Sequence, residues 1–160
     1  MIEGNDLSDL HSSLFQAIDG LWFLAVEDEY GLDAALKLDV KVWERYGKLE
    51  ARRIAKLVGV ELGKASLGEL IKTFKLTPVA TYFRSNFKES GGEVVIKLTR
   101  CPPQEARIRG GRGVFPCKPV GIAYFTNFAG ELNPLFKTNC LWCPPDPRNA
   151  EAWCAWRFKL

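Results

Sequence analysis

The hydrophobic pattern of this chain changes period once, near residue 75, and that change limits the fold more than any other feature. Before it, apolar residues recur every three or four positions, which is helical spacing. After it come short alternating stretches rich in aromatic and β-branched residues, which is strand spacing. Helices followed by strands predict an α+β fold, with N-terminal helices packed on a C-terminal, largely antiparallel sheet that carries one further helix. A chain of 160 residues fits a single domain over 1–160, with a helical part over 1–75 and a cysteine-containing α+β part over 76–160.

Local signals place the elements. Asp6 or Ser8 can cap a first helix carrying Leu10, Leu14, Phe15 and Ile18, and Asp19-Gly20 interrupts it. A second helix over 21–30 is apolar nearly all round, which predicts burial, and Gly31 stops it. Asp33 caps a third helix that runs to Val58 and Gly59, and a fourth spans 66–74. Residues 79–87 and 94–99 read as strands of a hairpin turning at Ser90-Gly91-Gly92-Glu93. Residues 107–113 read as a glycine- and arginine-rich loop, and 119–132 as a helix with Tyr124, Phe125 and Phe128 near one face. The last two strands, 136–142 and 152–158, flank a proline-rich loop over 144–147.

Composition excludes several classes. With 47% hydrophobic and 26% charged residues the chain is globular in make-up, not disordered. A net charge of +3, with bases interleaved among acids, gives no basic groove for nucleic acid. No apolar run approaches the roughly 18–20 residues of a membrane span, and the polar, acidic N-terminus is unlike a signal peptide. The expectation is a cytoplasmic protein whose partner is a small-molecule ligand, with a homodimer left open.

All five cysteines lie between Cys101 and Cys154. In a reducing compartment such a cluster favours metal binding or thiol chemistry over disulfides. Cys140 and Cys143 form a Cys-x-x-Cys that can supply two of four zinc ligands. Cys154 can fold back onto them, and Cys117 or Cys101 can complete the set, leaving one thiol over. An iron–sulfur cluster uses the same ligands. Redox chemistry and simple packing of small apolar side chains are the alternatives.

Helical counting on 33–58 puts Asp39 and Glu50 inside the apolar stripe of Leu36, Val40, Trp43 and Tyr46, opposite a basic, solvated face. Carboxylates there must find partners or have their pKa pushed up. With Glu27 from the preceding helix they can form the polar part of a pocket lined by Trp22, Trp43 and Tyr46. Glu27, Asp39 and Glu50 are then the candidate general bases, provided they share a cleft with the cysteines. The alternative is structural pairing with Arg53, Arg84 or Arg107. His11, the single histidine, falls on a surface helix and is not expected to be catalytic. Gly110-Gly111-Arg112-Gly113 lacks the lysine and hydroxyl of a phosphate loop, although its arginines can meet an anionic ligand.

Particular motifs point further. Gly20-Leu21-Trp22-Phe23 with Glu27, Gly31 and Val42-Trp43-Glu44, then CPPQEAR from Cys101, FPCKPVG from Phe115, CLWCPPDP from Cys140 and WCAWRF from Trp153, resemble a family of uncharacterised prokaryotic cytosolic proteins. Its relatives are often labelled L-2-amino-thiazoline-4-carboxylic acid hydrolase-like. That family is distantly similar to the 4-vinyl reductase domain, whose fold also occurs in haem-based nitric-oxide sensors. The resemblance implies helices packed on an antiparallel sheet around a small-molecule or lipid pocket. The hydrolase label implies opening of a thiazoline ring, but no established catalytic residue can be matched to it. His11 matches no haem-ligand motif.

Overall fold

A computed structural model describes residues 4–147 and 149–160. Two long helices, α1 (Gly4–Tyr30) and α2 (Leu32–Val58), form a hairpin through Gly31, whose φ of 83° suits glycine. The expected break at Asp19-Gly20 is absent. A mid-helix glycine costs only about 1 kcal/mol, and Asp19 bonds the Gln16 amide on its own helix, at 3.2 Å, instead of terminating it. The 21–30 stretch is not buried all round either, because a straight α1 offers one face to α2 and leaves Leu21, Trp22 and Tyr30 outside.

Ser66 and Glu69 form a reciprocal capping box at the start of α3 (Leu67–Phe74). The expected strand over 79–87 begins instead as helix α4 (Pro78–Tyr82). Thr77 caps the Ala80 amide at 2.9 Å and Pro78 opens the helix, and these local signals override the β-type pattern. The chain reverses at Arg84, φ 52°, and only then enters β1 (Ser85–Ser90), which pairs with β2 (Glu93–Leu98). The expected loop over 107–113 is in part helical. Pro102 and Pro103 start α5 (Pro102–Arg109), which takes in Arg107 before the glycines end it.

α6 (Lys118–Leu132), β3 (Lys137–Trp142) and β4 (Cys154–Lys159) lie within a residue or two of expectation. The four strands form one antiparallel sheet in the order β1-β2-β4-β3. β2 alternates as a half-buried strand should, burying Val94, Ile96 and Leu98. Central β4 is buried almost throughout.

Helix α6 lies in the middle of the molecule. Its sheet side stacks Phe125 on Trp156, ring centres 4.6 Å apart, and Gly121 leaves room for the same indole. Its other side meets α2 where Gly47 permits close approach. A Cβ there would stand 2.7 Å from the Tyr124 carbonyl oxygen.

Candidate functional site

A cavity of about 530 Å³ opens among α1, α2, α5, α6 and the sheet. Its walls are overwhelmingly apolar and include Trp43, Tyr124, Phe125 and Trp156. Four cysteines line it (Cys101, Cys117, Cys143 and Cys154), together with Asp19, Asp39 and the arginines 100, 107, 109 and 112. This volume is within the range of pockets that hold small organic molecules.

The sulfur side is built from three segments. Cys117 caps the start of α6, and the fully buried Gln104 holds the strand of chain leading into it. The Gln104 amide donates to the Phe115 carbonyl at 2.7 Å and to Cys117 Sγ at 3.4 Å, and it accepts from the Phe115 amide at 2.8 Å. The loop after β3 is pinned to the same helix end. Lys118 pairs with Asp146 at 2.8 Å, Asp146 accepts from the Cys143 amide, and the Pro144 carbonyl accepts from the Lys118 amide. A register shift in β3 between Cys140 and Trp142 re-aims the chain just before Cys143.

Cys143 is the hub. Its sulfur is 3.7 Å from that of Cys117, and Cys140 and Cys154 are its other sulfur neighbours. The Cys117 sulfur, then Cys140 and Cys154, and then burial push its thiol pKa above the ordinary value. The bond from Cys143 lowers the pKa of both Cys117 and Cys140. Cys101 is held protonated chiefly by burial, and next by the neighbouring Cys117, which push its thiol well up, so it behaves as a small apolar side chain.

The fit to a metal can be tested on spacing. A tetrahedral zinc–thiolate bond of about 2.3 Å makes a sulfur–sulfur edge of about 3.8 Å, close to the 3.7 Å between Cys117 and Cys143. Cys117 and Cys143 therefore stand at a spacing that suits two thiolates on one zinc, and Cys140 and Cys154 are the further donors nearby. Among the described residues no group of three His, Cys, Asp or Glu is a ready-made cage. Binding a metal requires their side chains to turn inward.

The three candidate acids have different surroundings. Glu27 forms a fork with Arg107, with Nη2 to Oε1 at 3.0 Å and Nη1 to Oε2 closer still, and Arg112 flanks it. The Arg107 bonds hold its carboxyl below the usual range. Glu50 is 5% exposed and accepts from Tyr46 at 2.7 Å and Tyr124 at 2.6 Å. It does not line the cavity. Burial raises its pKa, and the two phenols partly offset this. Asp39 does line the cavity; burial and then the nearby Asp19 push it up to about 7, against partial relief from the Trp43 side chain. Asp19, which sequence reasoning passed over as a helix breaker, is raised by burial to about 6.

Of the aromatic candidates, Trp43 lines the cavity, while Tyr46 stands behind it on Glu50. Trp22 is 69% exposed and lies on the outer face of α1. His11 is exposed on α1, away from the cavity. No helix among the described residues is long and apolar enough to cross a membrane.

The chain matches the family of unknown function DUF6125 over residues 6–160. The chain belongs to that family. No curated protein and no solved structure matches it.

The buried acids make the protein pH-sensitive in a defined direction. Asp19 and Asp39 hold protons more tightly when folded, so their contribution is complete below the unfolded value of 3.8 and is lost as pH rises through about 6 and about 7. Stability is expected to fall between about pH 4 and pH 8. Asp39→Asn is expected to be more stable than wild type at pH 8 by roughly 1–3 kcal/mol, and to differ little near pH 4. Urea unfolding at the two pH values checks this.

Proposed function

We propose that this protein is a small-molecule-binding domain whose cavity is bounded on one side by a thiol centre that holds zinc. The observation that carries the reading is the 530 Å³ apolar cavity with four cysteines and a few polar groups in its walls. Cys117, Cys140, Cys143 and Cys154 would hold the metal, supported by their convergence on Cys143 and the 3.7 Å sulfur spacing. Cys101 is the thiol left over. A cytoplasmic site of action and kinship with the amino-thiazoline hydrolase-like proteins and the 4-vinyl reductase domain belong to the same proposal. Their support is the cysteine motifs.

Two measurements test it. Titration with phenylnaphthylamine, an uncharged apolar dye, is expected to show saturable one-to-one binding. Ala106→Trp, which adds bulk at an exposed position of the cavity wall, is expected to abolish that binding without unfolding the protein. Elemental analysis of anaerobically purified protein is expected to give close to one zinc per chain, lost in Cys143→Ser. Absence of metal, with all five thiols titrating freely, would end the zinc part alone.

A second reading is supported by Asp39 sharing the cavity with the cysteines. In it the protein is a hydrolase of non-peptide C–N bonds acting on a small cyclic C–N or C–S compound. Asp39 would be the general base, since a group near neutral pKa is suited to proton transfer. Glu27 and Glu50 are committed to Arg107 and to two tyrosines. Turnover of an amino-thiazoline carboxylate that survives Asp39→Asn would remove this role.

A further inference from the structure

The arginines of the cavity are not spent equally. Arg107 is 7% exposed at its side chain and is held on every side. Its two terminal nitrogens face Glu27, and its guanidinium sits 5.7 Å from the Phe23 ring centre and 5.4 Å from that of Phe115. Its Nε–H is buried without an acceptor. A buried donor left unpaired costs about 1–3 kcal/mol, so a partner that reaches it gains more than an exposed contact would.

Charge at this end of the cavity points the same way. Arg100 pairs with Glu105, and Arg107 and Arg112 share Glu27 and Asp28. Arg109 has no carboxylate partner among the described residues. Four guanidiniums thus meet three carboxylates, a surplus of one positive charge beside an apolar chamber. Asp19 and Asp39, half-buried on α1 and α2, hold their protons below about pH 6 and about pH 7, so the arginines are the charged pole of the cavity in mildly acidic solution, where the dye comparison below is made.

We infer that the ligand of this cavity is an organic anion with an apolar body, its carboxylate or similar oxyanion anchored by Arg107 at the α5 end. This rests on the ligand-binding reading above and specifies its substrate class. Small movements of the Phe23–Phe115 clamp bring the acceptor to Nε–H while the Glu27 fork stays in place. Arg107 is a binding residue in this account, and Glu27 positions it.

A matched pair of dyes tests the anchor apart from the cavity. Phenylnaphthylamine and anilinonaphthalene sulfonate share one aromatic body and differ by a sulfonate. The wild-type protein is expected to bind the sulfonate about tenfold or more tightly over the neutral dye, the factor for one charge-assisted hydrogen bond. Arg107→Lys, which keeps the charge but lacks Nε–H, is expected to lose most of that preference, read as the ratio of the two dyes' affinities for the same variant. Should the variant fail to fold, salt decides: a preference from a buried contact survives 0.5 M salt at roughly full size, since screening acts mainly on exposed charge. Equal binding of the two dyes, a preference unchanged in Arg107→Lys, or one erased by salt would overturn the inference and leave the cavity reading standing. Failure of both dyes to bind would overturn both.

Discussion

Replacing Glu50 by alanine is expected to destabilise the protein by about 3–5 kcal/mol, the range for breaking a buried charged or hydrogen-bonded pair by deleting one member. Glu50 lies between α2 and α6 and accepts both the Tyr46 and the Tyr124 hydroxyls. Deletion strands two buried phenols and leaves a hole beside Trp43, whose ring packs edge-on against both tyrosines. Glu50→Gln keeps one acceptor oxygen and is expected to cost less, about 1–2 kcal/mol. Urea denaturation reads both as lower midpoints at unchanged slope. Equal stability of Glu50→Ala and wild type would mean that the two hydroxyls find other partners, and the helix contact would need another explanation.

The second large effect comes from backbone proximity. Gly47→Val is expected to cost about 3 kcal/mol or more, at or above the upper end for overpacked cores. A Cβ at Gly47 would stand 2.7 Å from the Tyr124 carbonyl oxygen and 3.2 Å from the Phe128 amide nitrogen, and neither atom can swing aside as a side chain would. Gly20 is the control. It lies inside α1 with open space around its Cβ position, so Gly20→Ala is expected to stabilise by about 0.5–1 kcal/mol. Giving a glycine a side chain thus has opposite signs on two neighbouring helices. A stabilised Gly47 variant would show that α2 and α6 do not meet as described.

The α+β layout was legible because its strongest signals are local and periodic. The capping box at Ser66 and the turn at Gly91-Gly92 act within a few residues. So does the apolar stripe of α2, which also exposed Asp39 and Glu50 as misfits. What misled were residues with two competing local meanings. Asp19-Gly20 is a breaker in isolation but is carried through by packing of α1 on α2. Residues 79–87 have strand composition, yet Thr77 and Pro78 start a helix first. Pro102-Pro103 likewise initiates α5 where glycine and arginine suggested only a loop.

The site was legible in its residue types and not in its distances. Five clustered cysteines pointed to the right region, but that Cys143 is the hub depends on the β3 register shift and the Lys118–Asp146 clamp, which join segments far apart in the chain. Glu27 was found with its partner Arg107 among the alternatives. Tandem helical counting could not reveal that a long straight α1 turns Trp22 outward. Asp19 was missed because its burial comes from tertiary packing, and no sequence pattern marks it.

The position of β4 between β2 and β3 has a consequence for how the chain matures. In order of translation β4 follows both of its neighbours, so β2 has only β1 beside it and β3 has no partner while the nascent polypeptide is still lengthening. Trp156 and Cys154 arrive with it, and until then α6 has no indole to stack on and Cys143 lacks one of its three sulfur neighbours. Closure of the sheet and concealment of the thiols thus become a single late event, dependent on contacts between remote stretches of backbone, which makes acquisition of the native state slow relative to the helices that form first.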